Sequence, residues 1–323
     1  MTLAMSDIWI HVSNAETPHE RVQMTYDNAV VGKPLGPVTY VVDAAALMRY
    51  DSVLEMPTSF VTVPLRHTAL LRDSHFLIDG GGINGKSEME LFRPPKVGDV
   101  ITVSGGVIHK YIRRGKPYVV LYAEARNQRR ELVDRFRMTE MRERTQVATK
   151  WEFLQPQQVG VPDADDGPRA AGDVPNFVWE GISSPVAAED FSIGQRIAQL
   201  SIDYNLHLIR TWEETIPHYR NIHDDFEVAA SAGFGQPFAS GTMLVSFTVE
   251  KLFPGWFGEA WTHGGALSLT FARPVIPGER VTFTAEVAGK LPRGKQTQVV
   301  FRLDARLTSG PRVAGGFASA IFP

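Results

Sequence analysis

The segment Pro217–Met243 concentrates the residue types that could do chemistry in this chain. His218 and His223 are imidazoles, which exchange protons near neutral pH because the ordinary pKa of histidine is about 6.5. Gly241 precedes an apolar run that predicts a helix over Thr242–Phe253, so its backbone N–H would have no partner within that helix. A proton-transfer group and an unbonded N–H, aimed at one point, suit proton transfer next to a carbonyl group.

Three further polar residues of this segment are candidate substrate-binding residues. The Tyr219 hydroxyl could donate a hydrogen bond, although packing of its ring in the loop is the simpler interpretation. Asn221 lies two residues before His223, and Ser240 directly precedes Gly241. A serine in that position also suits the N-cap of a helix, so both roles of Ser240 stay open.

Composition excludes several classes of function. The chain has 323 residues, 43% of them hydrophobic, and a net charge of −3, so it lacks the broad basic surface of a nucleic-acid-binding protein. It contains no cysteine, which removes thiolate catalysis and cysteine-based zinc sites. The run from His223 to Asp225 has no second ligand cluster at a suitable spacing, so we predict no metal ion and no other cofactor.

The sequence also predicts where the protein resides. No run approaches the roughly 18 apolar residues that a membrane helix needs. The first residues, MTLAMSDIWIHV, lack the basic segment followed by an apolar one that is typical of a signal peptide. We therefore expect a cytoplasmic protein without a membrane partner.

The two halves of the chain repeat each other. Residues 93–102 and 273–282 share the pattern Arg-Pro-x-x-x-Gly-Asp/Glu and begin 180 positions apart. Arg-Gly-Lys turns at Arg114 and Arg293 keep nearly the same separation. This period is far too long for a solenoid and indicates a duplicated domain. We predict an N-terminal domain over 1–155, a linker rich in Pro, Gly, Asp and Gln over 156–175, and a C-terminal domain over 176–323.

Each copy is predicted to combine antiparallel hairpins with one apolar helix, which is an α+β fold. Alternating apolar positions and short polar turns predict three consecutive strands after each Arg-Pro block. The helix of the second half is the predicted Thr242–Phe253. The first half offers two candidates, about Thr39–Tyr50 and about Thr62–Leu71, and the 180-residue offset favours the second.

Several blocks of the second half resemble a known family. Residues 221–225, 232–234 and 237–243 are similar to the hydratase motif of the MaoC-like acyl dehydratases, a family that includes the (R)-specific enoyl-CoA hydratases. The resemblance implies a double hotdog fold, in which a curved antiparallel sheet wraps a central helix in each of two tandem copies. It also implies a hydratase or dehydratase that adds or removes water at the α,β position of an acyl thioester.

The resemblance assigns roles to individual residues. It implies that His223 is catalytic and that the Gly241 N–H holds the thioester oxygen. The aspartate of the family falls on His218, and a histidine common in the family before the glycine is Ser240 here. The first half has no such loop and has Val61 at the position of Gly241, so it is expected to be catalytically degenerate.

Two other functions stay open. A hotdog thioesterase would use the same N–H to hydrolyse the thioester. Because His218 replaces the aspartate, a non-catalytic acyl-binding or partner subunit is the third hypothesis. In each case the partner is an acyl thioester of coenzyme A or of acyl carrier protein. The duplication lets one chain form a pseudo-dimer by itself, and it also permits a homodimer.

Overall fold

The computed structural model of the protein describes most of both halves. The described residues are 23–42, 44, 67–76, 82–142, 187–214, 221–246 and 257–323. The predicted linker 156–175 and position 61 lie outside them. No helix within the described ranges is long and apolar enough to cross a bilayer.

The described residues contain ten strands and five α-helices. The strands are β1 Pro34–Val41, β2 Ile83–Leu91, β3 Val100–Arg113, β4 Lys116–Arg126, β5 Leu132–Met141, β6 Arg196–Asp203, β7 Ala266–Phe271, β8 Arg280–Arg293, β9 Gln296–Leu307 and β10 Arg312–Phe322. The helices are α1 His67–His75, α2 Leu206–Glu214, α3 Phe226–Ser231, α4 Gly241–Ser246 and α5 Glu259–Thr262.

All ten strands belong to one antiparallel sheet. Their order is β1-β3-β4-β5-β2-β7-β10-β9-β8-β6, so the second five strands repeat the arrangement of the first five in reverse. The halves join where β2 pairs with β7, from Lys86 opposite Thr270 to Glu90 opposite Ala266. The duplication seen in the sequence is therefore a structural duplication about the β2–β7 seam.

The predicted hairpins are present in both halves. The sequence pattern predicts strands over 118–126, 132–141, 298–306 and 313–322. Strand β5 has the predicted bounds, and β4, β9 and β10 extend the other three by one to three residues. The shared Arg-Pro-x-x-x-Gly block forms the turn before β3 and before β8. Gly98 and Gly278 have φ angles of 87° and 95°, a left-handed conformation that glycine adopts without a Cβ penalty.

Helices α1 and α4 occupy the places predicted for the two apolar helices. Within the described residues α1 runs over His67–His75 and therefore overlaps the candidate at 62–71. The alternative candidate at 39–50 begins too early, because Thr39, Tyr40 and Val41 belong to β1 and pair with β3. Ala44 is helical, and residues 45–50 lie outside the described ones. At Thr39–Val41, backbone pairing across the sheet outweighs the apolar composition that suggested a helix.

A buried polar network, which the sequence did not reveal, fastens α1 to the sheet. The His67 Nδ1 lies 2.9 Å from Asp134 Oδ1, and its Nε2 lies 2.7 Å from the Tyr40 hydroxyl. Burial raises the pKa of Tyr40 well above its ordinary value, and the Asp134 carboxylate adds to this effect. Tyr40 therefore stays protonated and donates to Nε2, while the Nδ1–H donates to Asp134.

We expect the substitution Tyr40→Phe to lower the free energy of unfolding by about 1–3 kcal/mol, because it leaves the buried Nε2 of His67 without its donor. Unfolding in urea, followed by circular dichroism, measures the loss. Tyr111→Phe is the matched control, since Tyr111 is half-buried and stacks on Tyr118. Equal midpoints for the two variants would contradict the assigned hydrogen bond.

Candidate active site

The loop before α3 is held in shape by its own side chains. The Asn221 side-chain oxygen accepts the backbone N–H of His223 at 2.6 Å, and the Asn221 N–H donates to the Asp224 carboxylate at 2.8 Å. These short local bonds form an Asx-type turn, which competes successfully with helix formation at this point. The turn fixes the backbone that carries the His223 ring.

Helix α3 begins directly after this turn. The Asp225 carboxylate accepts the N–H groups of Glu227 and Val228 at 2.9 and 3.0 Å, which makes Asp225 the N-cap. A carboxylate at 225 before an acidic first turn predicts this cap and a short helix over 226–232; the structure confirms the cap, and the helix ends at Ser231. The helix in turn buries Ala229 against the apolar residues beneath the loop.

Removing the Asp225 cap tests how much this hydrogen-bonded helix start stabilises the protein. We expect Asp225→Ala to lower the free energy of unfolding by about 1 kcal/mol, because two helix N–H groups lose their acceptor. The change is measured by denaturant unfolding. Asp203→Ala is the control: that carboxylate is exposed and contacts Arg280, and exposed ion pairs contribute little. A control as destabilised as the cap variant would argue against the cap.

The imidazole of His223 has a defined tautomer. Its Nδ1 lies 2.8 Å from the backbone oxygen of Phe238. A carbonyl oxygen can only accept a hydrogen bond, so Nδ1 carries a proton, and in the neutral ring Nε2 therefore carries the lone pair. The edge of the ring also contacts the Phe238 ring, with 4.8 Å between the ring centroids. The chain thus presents an oriented imidazole whose Nε2 can accept a proton.

The residue that holds His223 leads straight into Gly241. Phe238 precedes Gly241 by three residues, a separation of at most about 11 Å between Cα atoms. The Ala239 N–H bonds the Val275 carbonyl at 2.8 Å, and the Ser240 hydroxyl accepts the Met243 N–H at 3.3 Å. Both bonds fix the entry into α4, whose first residue is Gly241.

Gly241 lies against the first half of the protein. A Cβ at this position would come within 2.7 Å of both the Cβ and the Nδ2 of Asn84, which is closer than side chains approach in folded proteins. Asn84 belongs to β2, and α4 packs on that strand. Glycine is therefore required here by close approach to a neighbouring strand. The N–H of Gly241 has no carbonyl partner within its own helix, because it is the first residue.

Apolar residues of both halves meet beneath the His223 loop. The buried cluster contains Met141 from the first half together with residues of the second half, namely Ile222, Ala229, Phe234, Phe238 and Ile276. Ile83 and Tyr118 of the first half pack against it. The candidate site therefore lies at the junction of the two halves, on the side of β2 where α4 begins.

The predicted site residues differ in where the structure places them. His223 and Gly241 are brought to the same loop region. Asn221 and Ser240 lie there too, but their side chains bond the loop and the start of α4, so Ser240 acts as the helix cap that the sequence allowed. Their contact with a substrate stays a prediction. His218 and Tyr219 lie outside the described residues.

The sequence did not point to Asn84. It lies in the other half of the chain, outside the repeated blocks, and no motif surrounds it. Only the pairing of β2 with its neighbours brings it to Gly241. Within the described ranges, no group of three or more His, Asp or Glu side chains is arranged to hold a metal ion.

The family comparison covers this region. Residues 213–307 match the family model described as MaoC like domain. This part of the chain is similar to a MaoC-like domain. The match begins before the His223 loop and ends in β9, so it includes His218, His223 and Gly241. The resemblance that the sequence suggested is confirmed, and the MaoC-like domain contains the candidate site apart from the contribution of β2.

Solved structures extend the likeness to both halves. A MaoC-like dehydratase has a TM-score of 0.65 at 16% identity, covering 92% of this chain and 99% of its own. A MaoC-like dehydratase from Phytophthora capsici has a TM-score of 0.58 at 14% identity, with 92% and 98% coverage. A conserved hypothetical protein from Mycobacterium tuberculosis, described as having a double hotdog fold, has a TM-score of 0.60 at 13% identity, with 93% and 98% coverage.

The protein therefore has the double hotdog fold, as predicted. Because the solved structures share only 13–16% identity with this chain, their likeness shows the fold alone. The match to the MaoC-like domain comes from the sequence and is independent of that likeness. None of the curated proteins is significantly similar to the chain in sequence.

Proposed function

We propose that this protein is a hydratase or dehydratase that adds or removes water at the α,β position of an acyl thioester. The observation that carries the proposal is the oriented imidazole of His223, held by the Phe238 carbonyl a few residues before Gly241. The MaoC-like domain match supports it, and several solved structures of the same fold are named dehydratases.

His223 is the proposed base in the hydration direction. Its Nε2 takes a proton from water while the water oxygen bonds to the β-carbon of the enoyl group. The electron pair of the carbon–carbon double bond moves toward the thioester and forms an enolate. Proton transfer to the α-carbon, from the resulting imidazolium, then gives the 3-hydroxyacyl product and restores the neutral ring. General acid–base catalysis of this kind contributes about 100- to 10,000-fold to the rate.

Gly241 is the proposed donor to the enolate oxygen. Its N–H is unused within α4 and is fixed by the bonds of Ala239 and Ser240 on the preceding residues. A preorganised donor stabilises charge that develops in the transition state and costs no reorganisation at that moment. The close contact with Asn84 explains why no side chain can occupy this position.

His218 is the proposed neighbour of His223 in proton transfer, in place of the aspartate of the family. Two cationic imidazoles would repel each other, so the pair can work only while at least one ring is neutral. This replacement is also the observation that favours a second function, a non-catalytic acyl-binding subunit. Introducing His218→Asp separates the two: a gain of hydration indicates an altered catalytic site, whereas binding without turnover in both forms indicates a binding subunit.

An assay of enoyl thioesters tests the proposal. The protein is incubated with crotonyl-, trans-2-decenoyl- and cinnamoyl-CoA, which are short, long and ring-bearing, and the products are weighed by mass spectrometry. Hydration adds the mass of one water to the intact thioester. Release of free thiol would instead identify a thioesterase. No product from any of them, or from the corresponding acyl carrier protein esters, would reject the hydratase proposal. A cytoplasmic location and a homodimer stay predictions.

A further inference from the structure

Asn84 is a polar side chain whose hydrogen bonds are left incomplete by the described residues. Its Nδ2 donates to the Ser87 hydroxyl at 2.9 Å, and Ser87 is fully buried. Its Oδ1 is buried and, within the described residues, has no hydrogen-bond partner. A buried carboxamide that is only partly hydrogen-bonded is a net cost to folding, so its presence calls for an explanation beyond stability.

The strand around Asn84 is built to aim this side chain. The pairing of β2 with β5 shifts register between Asn84 and Lys86, which is a β-bulge with Gly85 as the extra residue. Bulges interrupt a ladder, bend the strand and redirect a side chain, and they occur often beside active sites. Pairing of β2 with β7 begins only at Lys86, so Asn84 lies beyond that seam, where α4 packs instead.

The backbone position of Asn84 is also secured from the other side. Asn84 lies opposite Glu140 of β5, whose carboxylate bonds Arg72 of α1 at 2.9 Å and Arg142 at 2.7 Å. Both guanidinium groups are largely buried. Charge-assisted hydrogen bonds of this kind hold the strand in one place, which limits the positions that the Asn84 carboxamide can adopt.

Among the described residues, one N–H of the carboxamide has no hydrogen-bond acceptor, and it lies beside Gly241. The amide nitrogen carries two hydrogens, and the Ser87 hydroxyl accepts one of them. The same nitrogen lies 2.7 Å from where a Cβ on Gly241 would lie. The unused donor remains if the amide oxygen and nitrogen of Asn84 are exchanged. Ser87 would then donate to the oxygen, and both N–H groups of the carboxamide would lack a partner.

We propose that Asn84 is a substrate-binding residue of this site, and that its carboxamide N–H donates to the thioester oxygen beside the Gly241 N–H. This inference rests on the proposed function. It gives the first half, which lacks the hydratase-like loop, a direct part in the chemistry of the second half. Two donors from different halves hold the same oxygen, so the enolate forms only where both halves are correctly joined.

Kinetics of two Asn84 variants test this role. Asn84→Ala is expected to lower kcat about 100-fold on the best substrate of the CoA panel, with KM changed less than about threefold, because the donor acts mainly in the transition state. Asn84→Asp should be at least as impaired, since a carboxylate opposes a developing enolate. A structural role predicts the opposite order, because Asp keeps the size of Asn and accepts from Ser87.

A matched control and a binding measurement make the outcomes separable. Asn127→Ala removes a buried asparagine whose bonds to described residues lie within the β4–β5 turn, so its kcat should equal that of the unaltered protein. A kcat of Asn84→Ala within twofold of the unaltered protein overturns the inference and leaves the hydratase function intact. If the unaltered protein converts none of the thioesters, the affinity for decanoyl-CoA is measured instead. Binding to Asn84→Ala that is roughly fivefold weaker than to the unaltered protein supports the contact. Equal binding by the two proteins, or no binding by the unaltered protein, overturns the inference.

Discussion

His223→Ala is expected to lower kcat by about 100- to 10,000-fold while the protein stays folded. The imidazole is the proposed base that takes a proton from water, and its orientation is fixed by the Phe238 carbonyl. Loss of that one hydrogen bond should reduce the free energy of unfolding by only about 1 kcal/mol. Steady-state kinetics on the best thioester, with urea unfolding in parallel, measure both effects.

His75→Ala is the control for a general effect of removing a histidine. His75 is exposed at the end of α1 and contacts Ser74 through its Nδ1. Its kcat should equal that of the unaltered protein. Comparable turnover by His223→Ala and the unaltered protein would remove His223 from the mechanism, whereas a collapsed unfolding transition would mean that the ring is a structural residue of the loop.

The repeat allowed most of the sheet to be predicted. The Arg-Pro-x-x-x-Gly blocks mark turns, and the apolar positions of β8 alternate so clearly that Val281, Phe283, Ala285 and Val287 could be assigned to one face; all four are buried. Such local patterns depend on backbone geometry that each segment expresses by itself. The segment near Thr39 misled because its apolar composition suits either a helix or a strand, and only pairing with β3 decides between them.

The candidate site was predictable only in its local part. The Asp225 cap and the glycine before α4 follow from short-range spacing, so the residues around His223 could be identified from the sequence. The contribution of β2 could not, because Asn84 and Gly241 are 157 positions apart and meet through strand pairing at the seam. The network of Tyr40, His67 and Asp134 escaped prediction for the same reason.

Gly241→Ala is expected to lower kcat about 100-fold or more, although it adds a single methyl group. The new Cβ would meet the Cβ and Nδ2 of Asn84 at 2.7 Å, so α4 or β2 must shift. A displacement of about 1 Å between catalytic groups can cost about 100-fold. Overpacking of this kind also costs about 1–3 kcal/mol of stability. Gly289→Ala is the control, because a Cβ on Gly289 has no atom within 4 Å; both kcat and stability should be unchanged.

Combining Gly241→Ala with Asn84→Gly separates the steric effect from the chemical one. Asn84→Gly removes the atoms that the new methyl group would meet, at a cost of about 0.5–1 kcal/mol for a glycine within a strand. The double variant should therefore be more stable than the sum of the two single changes predicts. Its turnover should stay low, because the Asn84 donor is gone. Recovery of turnover together with stability would show that Asn84 only constrains Gly241 and gives no hydrogen bond to the substrate.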